Sequence, residues 1–292
     1  GPVTAQTPWH YDQPVRAVRT GWLANRRASE SSGVAVSRTQ PGVLWTHADS
    51  DNDALLFATD SLGRNLGSLR VLGAINVDWE AIRLAACATG SCLFIADIGD
   101  NNERRATVTI YRLAEPRVTA DSVEQRATGR ATALTVRYPD GPHDAEAMIV
   151  TPVGDLLLIT KGGKRPVLVY RVPVSAWDSE RIAEAELVGT LPIPADTTIG
   201  RMVTDAALAP DGVRAVVRTY RDLYFFRLRA DRLVPDDPPR ACNVLGLEIQ
   251  GEGVDWLDSR TLVLTSEKAF AAAASVSLVQ CPDPDPSGAS PP

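Results

Sequence analysis

The stretch that decides the fold is Asp144-Ala-Glu-Ala-Met148, followed by Asp155-Leu-Leu-Leu-Ile-Thr-Lys161 and Val167-Leu-Val-Tyr-Arg171. It contains three short apolar runs that are bounded by Gly, Asp or Pro, and it lacks the spacing of an amphipathic helix. The first run opens on acidic residues, the second is strongly apolar, and the third ends beside an aromatic residue. We interpret the stretch as three consecutive β-strands.

The same unit occurs four more times along the chain. The strands that open these units are Ser29-Glu-Ser-Ser-Gly-Val-Ala-Val36, Asp78-Trp-Glu-Ala-Ile82, Thr204-Asp-Ala-Ala-Leu208 and Gly251-Glu-Gly-Val254. A fourth strand candidate follows every unit except the last, and the segment 15–22 is left over near the N-terminus. The pattern predicts an all-β fold, a closed β-propeller of five four-stranded blades whose last blade is completed by the N-terminal strand. Six blades, or a pair of β-sandwiches, are the alternatives.

Composition and charge fit one soluble domain. The chain has 292 residues, of which 44% are hydrophobic and 23% charged. We expect the propeller to cover residues 15–281, between an N-terminal extension over 1–14 and a Pro-rich tail over 282–292. The net charge of −6 argues against a nucleic-acid partner, and no apolar stretch is long enough to span a bilayer. We expect a monomer.

The cysteines indicate an exported protein. Cys87 and Cys92 flank a Gly-containing turn, and Cys281 ends the last strand, which leaves Cys242 as its partner. Four cysteines allow three pairings, of which we predict Cys87–Cys92 and Cys242–Cys281. The spacing does not suit zinc. Disulfides are typical of secreted, periplasmic or cell-surface proteins, so we expect a signal peptide that has been removed.

Propeller geometry gathers scattered polar residues into one site, because the innermost strands line a central channel. The residues expected at one axial mouth are the strand starts Glu80, Glu146 and Glu252, and the second-strand exits Asp97, Asp100, Lys161, Arg218 and Tyr220. So many carboxylates need a compensating cation, and calcium takes six to eight hard oxygen ligands. All three lysines, Lys161, Lys164 and Lys268, fall at such exits, which is explained equally by a chemical role and by the usual position of lysine on loops.

Two acidic segments are candidate calcium-binding loops. Asp49-Ser-Asp-Asn-Asp53 has Ala54 where a calcium loop needs glycine, so we interpret it as a turn. Asp97-Ile-Gly-Asp-Asn-Asn102 combines a glycine with several oxygen-bearing side chains. This second segment favours Asp97 and Asp100 as axial metal ligands.

These segments together resemble bacterial secreted propellers that are grouped with the β-propeller phytase-like and esterase-like phytase families. The resemblance covers residues 28–281, and it rests on short motifs such as Ala96-Asp-Ile-Gly-Asp-Asn101 and Asp144-Ala-Glu-Ala-Met148. Propeller phytases have six blades, whereas five are counted here. The resemblance implies calcium ligands and phosphate contacts, which would be Glu80, Asp97, Asp100, Glu146 and Glu252 for calcium, and Lys161, Arg218 and Tyr220 for phosphate.

Three functions follow as hypotheses. The first is a calcium-dependent hydrolase of a small anionic phosphoester, in which Lys161 and Arg218 neutralise developing charge and Glu146 or Glu252 acts as general base. The second is a non-catalytic extracellular ligand-binding or scaffold propeller with a structural ion. The third is a calcium-dependent lactonase or esterase.

Overall fold

The computed structural model describes residues 8–50, 53–88, 90–119, 126–195, 199–248, 250–268 and 273–282. Over these residues the chain forms 24 β-strands, which we number in chain order, and three short 3₁₀ helices, Arg26–Ala28, Val174–Asp178 and Ile199–Arg201. The strands assemble into five mainly antiparallel sheets of four to six strands. Each sheet is one blade.

The blades are described from the innermost strand outward. Blade 1 contains β3 (Ser31–Val36), β4 (Leu44–Ala48), β5 (Leu55–Thr59) and β6 (Gly67–Leu72). Blade 2 contains β7 (Trp79–Cys87), β8 (Gly90–Asp97), β9 (Val108–Ala114) and β11 (Thr132–Arg137). Blade 3 contains β12 (Ala145–Val150), β13 (Leu156–Thr160), β14 (Val167–Val172) and β16 (Glu186–Leu191). Blade 4 contains β17 (Val203–Leu208), β18 (Arg214–Thr219), β19 (Asp222–Arg229) and β21 (Arg240–Asn243). Blade 5 contains β22 (Gly251–Trp256), β23 (Leu262–Ser266), β24 (Ser275–Gln280) and β2 (Arg16–Trp22).

Four further strands extend the blades at their outer edges. They are β10 (Arg126–Arg130) beside β6, β15 (Ala183–Glu184) beside β11, β1 (His10–Tyr11) beside β21, and β20 (Arg232–Pro235) beside β19. Because these short strands pair with exposed edges, they cover backbone groups that could otherwise pair with another chain.

The blades close into a ring. Each of the inner strands β3, β7, β12, β17 and β22 contacts the next, and β22 contacts β3. The N-terminal strand β2 pairs antiparallel with β24 as the outermost strand of blade 5, so the two ends of the propeller are joined in one sheet. The predicted five-bladed propeller and its closure are therefore confirmed.

The hydrophobic core is divided among the blade interfaces. Five buried apolar clusters lie between successive blades, with Trp45 and Trp79 between blades 1 and 2 and Tyr170 between blades 2 and 3. Trp45 and Trp79 are fully buried. Apolar side chains thus fill the space between the sheets, and polar side chains are left for the axis.

Both predicted disulfides are confirmed, with Cα atoms 5.8 Å apart for Cys87–Cys92 and 6.1 Å apart for Cys242–Cys281. The first closes the β7–β8 hairpin, and the second joins the outer strand of blade 4 to the end of blade 5. The domain bounds stay a prediction: residues 1–7 and 283–292 lie outside the described residues, and β1 falls within the predicted extension. None of the helices that the structure describes is long and apolar enough to cross a membrane.

Candidate functional site

Every inner strand carries a β-bulge at its second residue. The pairing register with the neighbouring strand shifts at the same point in all five blades. A bulge inserts an unpaired residue and re-aims its side chain. The residues at the bulges, which we call the axial ring, are Ser32, Glu80, Glu146, Thr204 and Glu252.

The axial ring brings three carboxyl groups together in a buried space. All five side chains belong to residues that are at most 5% exposed. Ser32 Oγ donates to Glu80 Oε2 at 3.0 Å, and Thr204 Oγ1 donates to the backbone oxygen of Glu252 at 3.0 Å. The structure places Glu80, Glu146 and Glu252 close together at the axis, as the repeated pattern predicts.

Burial raises the pKa of all three glutamates. The pKa of Glu80 lies well above its usual range because of burial and then the charge of Glu146. Burial raises the pKa of Glu146 to about 7, although Lys161 acts in the opposite direction. The pKa of Glu252 is raised well above its usual range by burial and Glu146. Buried like charges in contact hold protons until a cation compensates them.

Two aspartates extend the ring toward solvent. One oxygen each from Asp49, Asp78 and Glu80 lies within 4.8 Å of the others, and among the described residues this is the one trio of possible metal ligands with that geometry. Burial and the neighbouring Asp49 raise the pKa of Asp78 to about 7. The sequence predicts a turn over residues 49–53, of which residues 51 and 52 lie outside the described residues.

Lys161 is the cation that the structure places on this cluster. Its Nζ lies 2.5 Å from Glu146 Oε1 and 3.4 Å from Asp144 Oδ2, and it donates to Asn101 Oδ1 at 3.2 Å. Burial alone would lower the pKa of Lys161, but Glu146 and Asp144 outweigh it and raise that pKa. The ammonium therefore neutralises the blade 3 side of the mouth.

Tyr220 borders the blade 5 side. Burial, followed by the charge of the neighbouring Glu252, raises the pKa of this phenol. Glu267 lies nearby, and burial and Asp49 raise its pKa to about 7. Tyr220 is thus a neutral hydrogen-bond donor at the mouth, whereas Glu267 adds to its acidic character.

Arg218 does not face the mouth. It is buried between blades 4 and 5, where its Nη1 donates to the backbone oxygens of Gly253 at 2.5 Å and Thr265 at 3.1 Å, and it forms an ion pair with Glu248. These contacts join β18 to β22 and β23. Arg218 therefore supports the strand that carries Glu252 instead of lining the space beside it.

Asp97 and Asp100 hold the loop after β8. Asp97 accepts from Val77 N at 3.0 Å and pairs with Arg105 at 2.7 Å. Asp100 accepts from Arg105 N at 2.7 Å, while its own backbone N–H donates to Asp144 Oδ1 at 2.8 Å. The structure places neither carboxylate in the trio of possible ligands, so both act here on the shape of the mouth.

Comparisons with known proteins define the fold alone. Neither a protein-family model nor a curated protein matches the chain. Among solved structures, the chain is similar to the PQQ-bound form of aldose sugar dehydrogenase from Streptomyces coelicolor, with a TM-score of 0.51 and 11% identity over 91% of this chain and 98% of that chain. The likeness supports a β-propeller, and at this identity it carries no information on activity.

Proposed function

We propose that the axial mouth binds a divalent cation, calcium by its ligand chemistry, and that the protein hydrolyses a small phosphoester there. The observation that carries the proposal is the excess of buried carboxyl groups over cations: Glu80, Glu146 and Glu252 converge, and Lys161 is the ammonium beside them. Such an excess is costly unless a cation enters.

The donor set fits calcium. Asp49, Asp78 and Glu80 offer carboxylate oxygens only, and their spacing allows one ion to contact all three. Glu252 lies close to Glu80 and would complete the coordination. When bound, calcium polarises phosphoryl oxygens and lowers the pKa of a bound water.

The chain's own residues supply the remaining chemistry. Glu146, whose pKa is raised to about 7, can accept a proton from water near neutral pH and is the proposed general base. Tyr220 can donate a hydrogen bond to a ligand oxygen, and Lys161 places a positive charge at the mouth. Arg218, Asp97 and Asp100 take supporting roles, because their polar atoms hold neighbouring backbone.

We assign no step to PQQ, which the sugar dehydrogenase binds, because a likeness at 11% identity supports the fold alone. The resemblance to phytase-like propellers supports the phosphoester instead.

The two disulfides support a secreted, periplasmic or cell-surface location for this activity. We also propose that the protein acts as a monomer.

A second function, ligand binding without catalysis, is favoured by one contact. The Lys161 ammonium lies 2.5 Å from Glu146 Oε1, so part of its charge is already neutralised. In that case the cation would be structural and the mouth would bind an extracellular ligand.

Turnover assays separate the two functions. The protein would be stripped of metal with a chelator, reloaded with calcium, and assayed on a generic phosphomonoester, p-nitrophenyl phosphate, and on a carboxyl ester and a lactone. We expect calcium-dependent phosphate release that falls by about a hundredfold in Glu146→Gln, a typical loss for a general base. The control Glu180→Gln, on an exposed residue, should leave the rate unchanged. A calcium-loaded, folded protein without turnover would exclude the hydrolase, and turnover of the lactone or carboxyl ester alone would identify the esterase chemistry.

A further inference from the structure

A buried ion pair lies across the channel below the axial ring. The side chains of Arg83 and Asp205 are 5% and 0% exposed, and they form a direct salt bridge. Arg83 belongs to β7 of blade 2, whereas Asp205 belongs to β17 of blade 4. Because blades 2 and 4 are separated by blade 3, the pair must span the axis of the propeller.

The pair contacts all five inner strands. Arg83 Nε donates to Met148 O in β12 at 3.0 Å, and its Nη1 donates to Val34 O in β3 at 2.7 Å. Asp205 Oδ2 accepts from Val254 N in β22 at 2.9 Å. With β7 and β17 themselves, the two side chains connect every blade of the ring.

These contacts lie one level below the carboxyl groups. Val34, Met148 and Val254 each come two residues after a member of the axial ring. Two residues advance a strand by about 6.6 Å. The backbone atoms that the pair grips are therefore the next ones on the same strands, directly behind Ser32, Glu146 and Glu252.

The ionic state of the pair suits this position. Burial raises the pKa of Asp205 to about 6, while Arg83 and the backbone donors act in the opposite direction, so the carboxylate is charged at neutral pH. Apolar side chains of similar volume often stabilise a protein interior at least as much as a buried ion pair does. What it adds is fixed geometry, because a planar guanidinium directs its donors at defined acceptors.

We propose that the Arg83–Asp205 pair is the floor of the axial pocket. It closes the channel beneath the glutamates, and both residues act as positioning residues that set the spacing of the axial ring. A pocket with a floor admits a small molecule, or the terminal group of a larger one, and excludes a polymer threaded through the channel. This substrate class rests on the proposed function, whereas the floor itself does not.

The first test compares calcium affinity among variants. Arg83→Met removes the charge and every donor, Asp205→Asn keeps the size of the side chain, and Arg83→Lys keeps the charge. The control is Arg240→Met, because Arg240 forms largely buried ion pairs with Asp12 and Asp236 at the outer edge of blade 4, away from the axis. We expect calcium to bind about tenfold more weakly in the double variant Arg83→Met/Asp205→Asn, which removes both charges and so leaves the net charge beneath the ring unchanged. We expect a smaller loss in Arg83→Lys, and about the same affinity as the unaltered protein in Arg240→Met.

The second test needs no metal. All four native cysteines form disulfides, so Ser32→Cys would provide a unique thiol in the axial ring. In the presence of a chelator we expect slow alkylation of this thiol in the parent background, about tenfold faster alkylation when Arg83→Met opens the floor, and no change with Arg240→Met. If Arg83→Met fails to fold, the same two measurements are made on Asp205→Asn and Arg83→Lys.

The outcomes are distinguishable. Faster alkylation in a protein that binds no calcium would support the floor and reject the proposed metal site. A folded floor variant with unchanged affinity and unchanged alkylation overturns the floor. Equal changes in Arg240→Met would also overturn it, because they would show general loosening of the propeller.

Discussion

Two buried groups of charges in this propeller are built in opposite ways. Arg218 and Glu248, whose side chains are 1% and 3% exposed, neutralise each other, and the guanidinium also satisfies two backbone carbonyls. The axial ring is buried to a similar degree, yet among the described residues only one of its three glutamates, Glu146, forms an ion pair, and its partner is Lys161. Where only stability matters, the fold pairs the charges that it buries. This contrast supports our proposal that the ring binds an external cation.

Breaking the paired group should have the largest effect on stability. Glu248→Gln leaves the Arg218 guanidinium buried without its counter-ion, so we expect a loss of about 3–5 kcal/mol in the free energy of unfolding. Urea denaturation measures this loss. Restoration of most of the stability in the double variant Arg218→Met/Glu248→Leu would sharpen the comparison, and a single variant as stable as the parent would refute it.

Neutralising one glutamate of the axial ring should have the opposite effect on the free energy of unfolding. Glu80→Gln removes one of the crowded carboxyl groups while Ser32 can still donate to its amide oxygen. We expect the metal-free protein to gain about 1 kcal/mol in the free energy of unfolding above neutral pH, and to lose cation binding. The measurement is urea denaturation in chelator; destabilisation comparable to that of Glu248→Gln would show that the ring is paired in a way not apparent from its contacts.

The pH dependence of stability should reveal the same excess. The pKa values of Asp78, Glu146 and Glu267 are each raised to about 7, so between about pH 4.5 and 7 the folded state holds more protons than the unfolded state. Stability of the metal-free protein should therefore fall as pH rises through this window. Calcium should restore it above neutrality, and thermal unfolding with and without calcium checks both statements. A profile that rises with pH in chelator would contradict them.

Lysine variants provide the smallest and most selective change. Lys161→Met removes the ammonium beside Glu146 and Asp144, so we expect calcium to bind about three- to tenfold more tightly. Lys164→Met, on an exposed residue three positions along, serves as the matched control and should leave the affinity unchanged. Weaker binding in Lys161→Met would mean that the lysine helps to build the site.

The fold could be predicted because its signals are local and repeated. Apolar runs bounded by turn residues recur five times, and the unused segment 15–22 identifies the closing strand. The position of Glu80, Glu146 and Glu252 at the second residue of an opening strand repeats as well. Equivalent positions in a closed ring must meet at the axis, so these three residues were found from the pattern.

The orientation of the other candidates depends on contacts that no local pattern reveals. Arg218 and Tyr220 lie two residues apart, yet one is buried between blades and the other borders the mouth. Asp97 belongs to the more distinctive acidic segment but is occupied by Val77 N and Arg105, whereas Asp49 lies in the ligand trio.

The floor pair was missed for the same reason. Arg83 and Asp205 are 122 residues apart and belong to blades that are not neighbours. The second position of each inner strand identifies the residues of the axial ring. Only the closed structure shows which residues lie beneath the ring.

Calorimetric titration of the metal-free protein with calcium near neutral pH tests the central claim most directly. The account predicts saturable binding at the mouth, accompanied by proton release because the carboxyl groups of Asp78 and Glu146 must ionise. It also predicts that Glu80→Gln abolishes this binding. Absence of saturable binding, or an identical titration of Glu80→Gln, would contradict the claim that the axial carboxylates form a cation site.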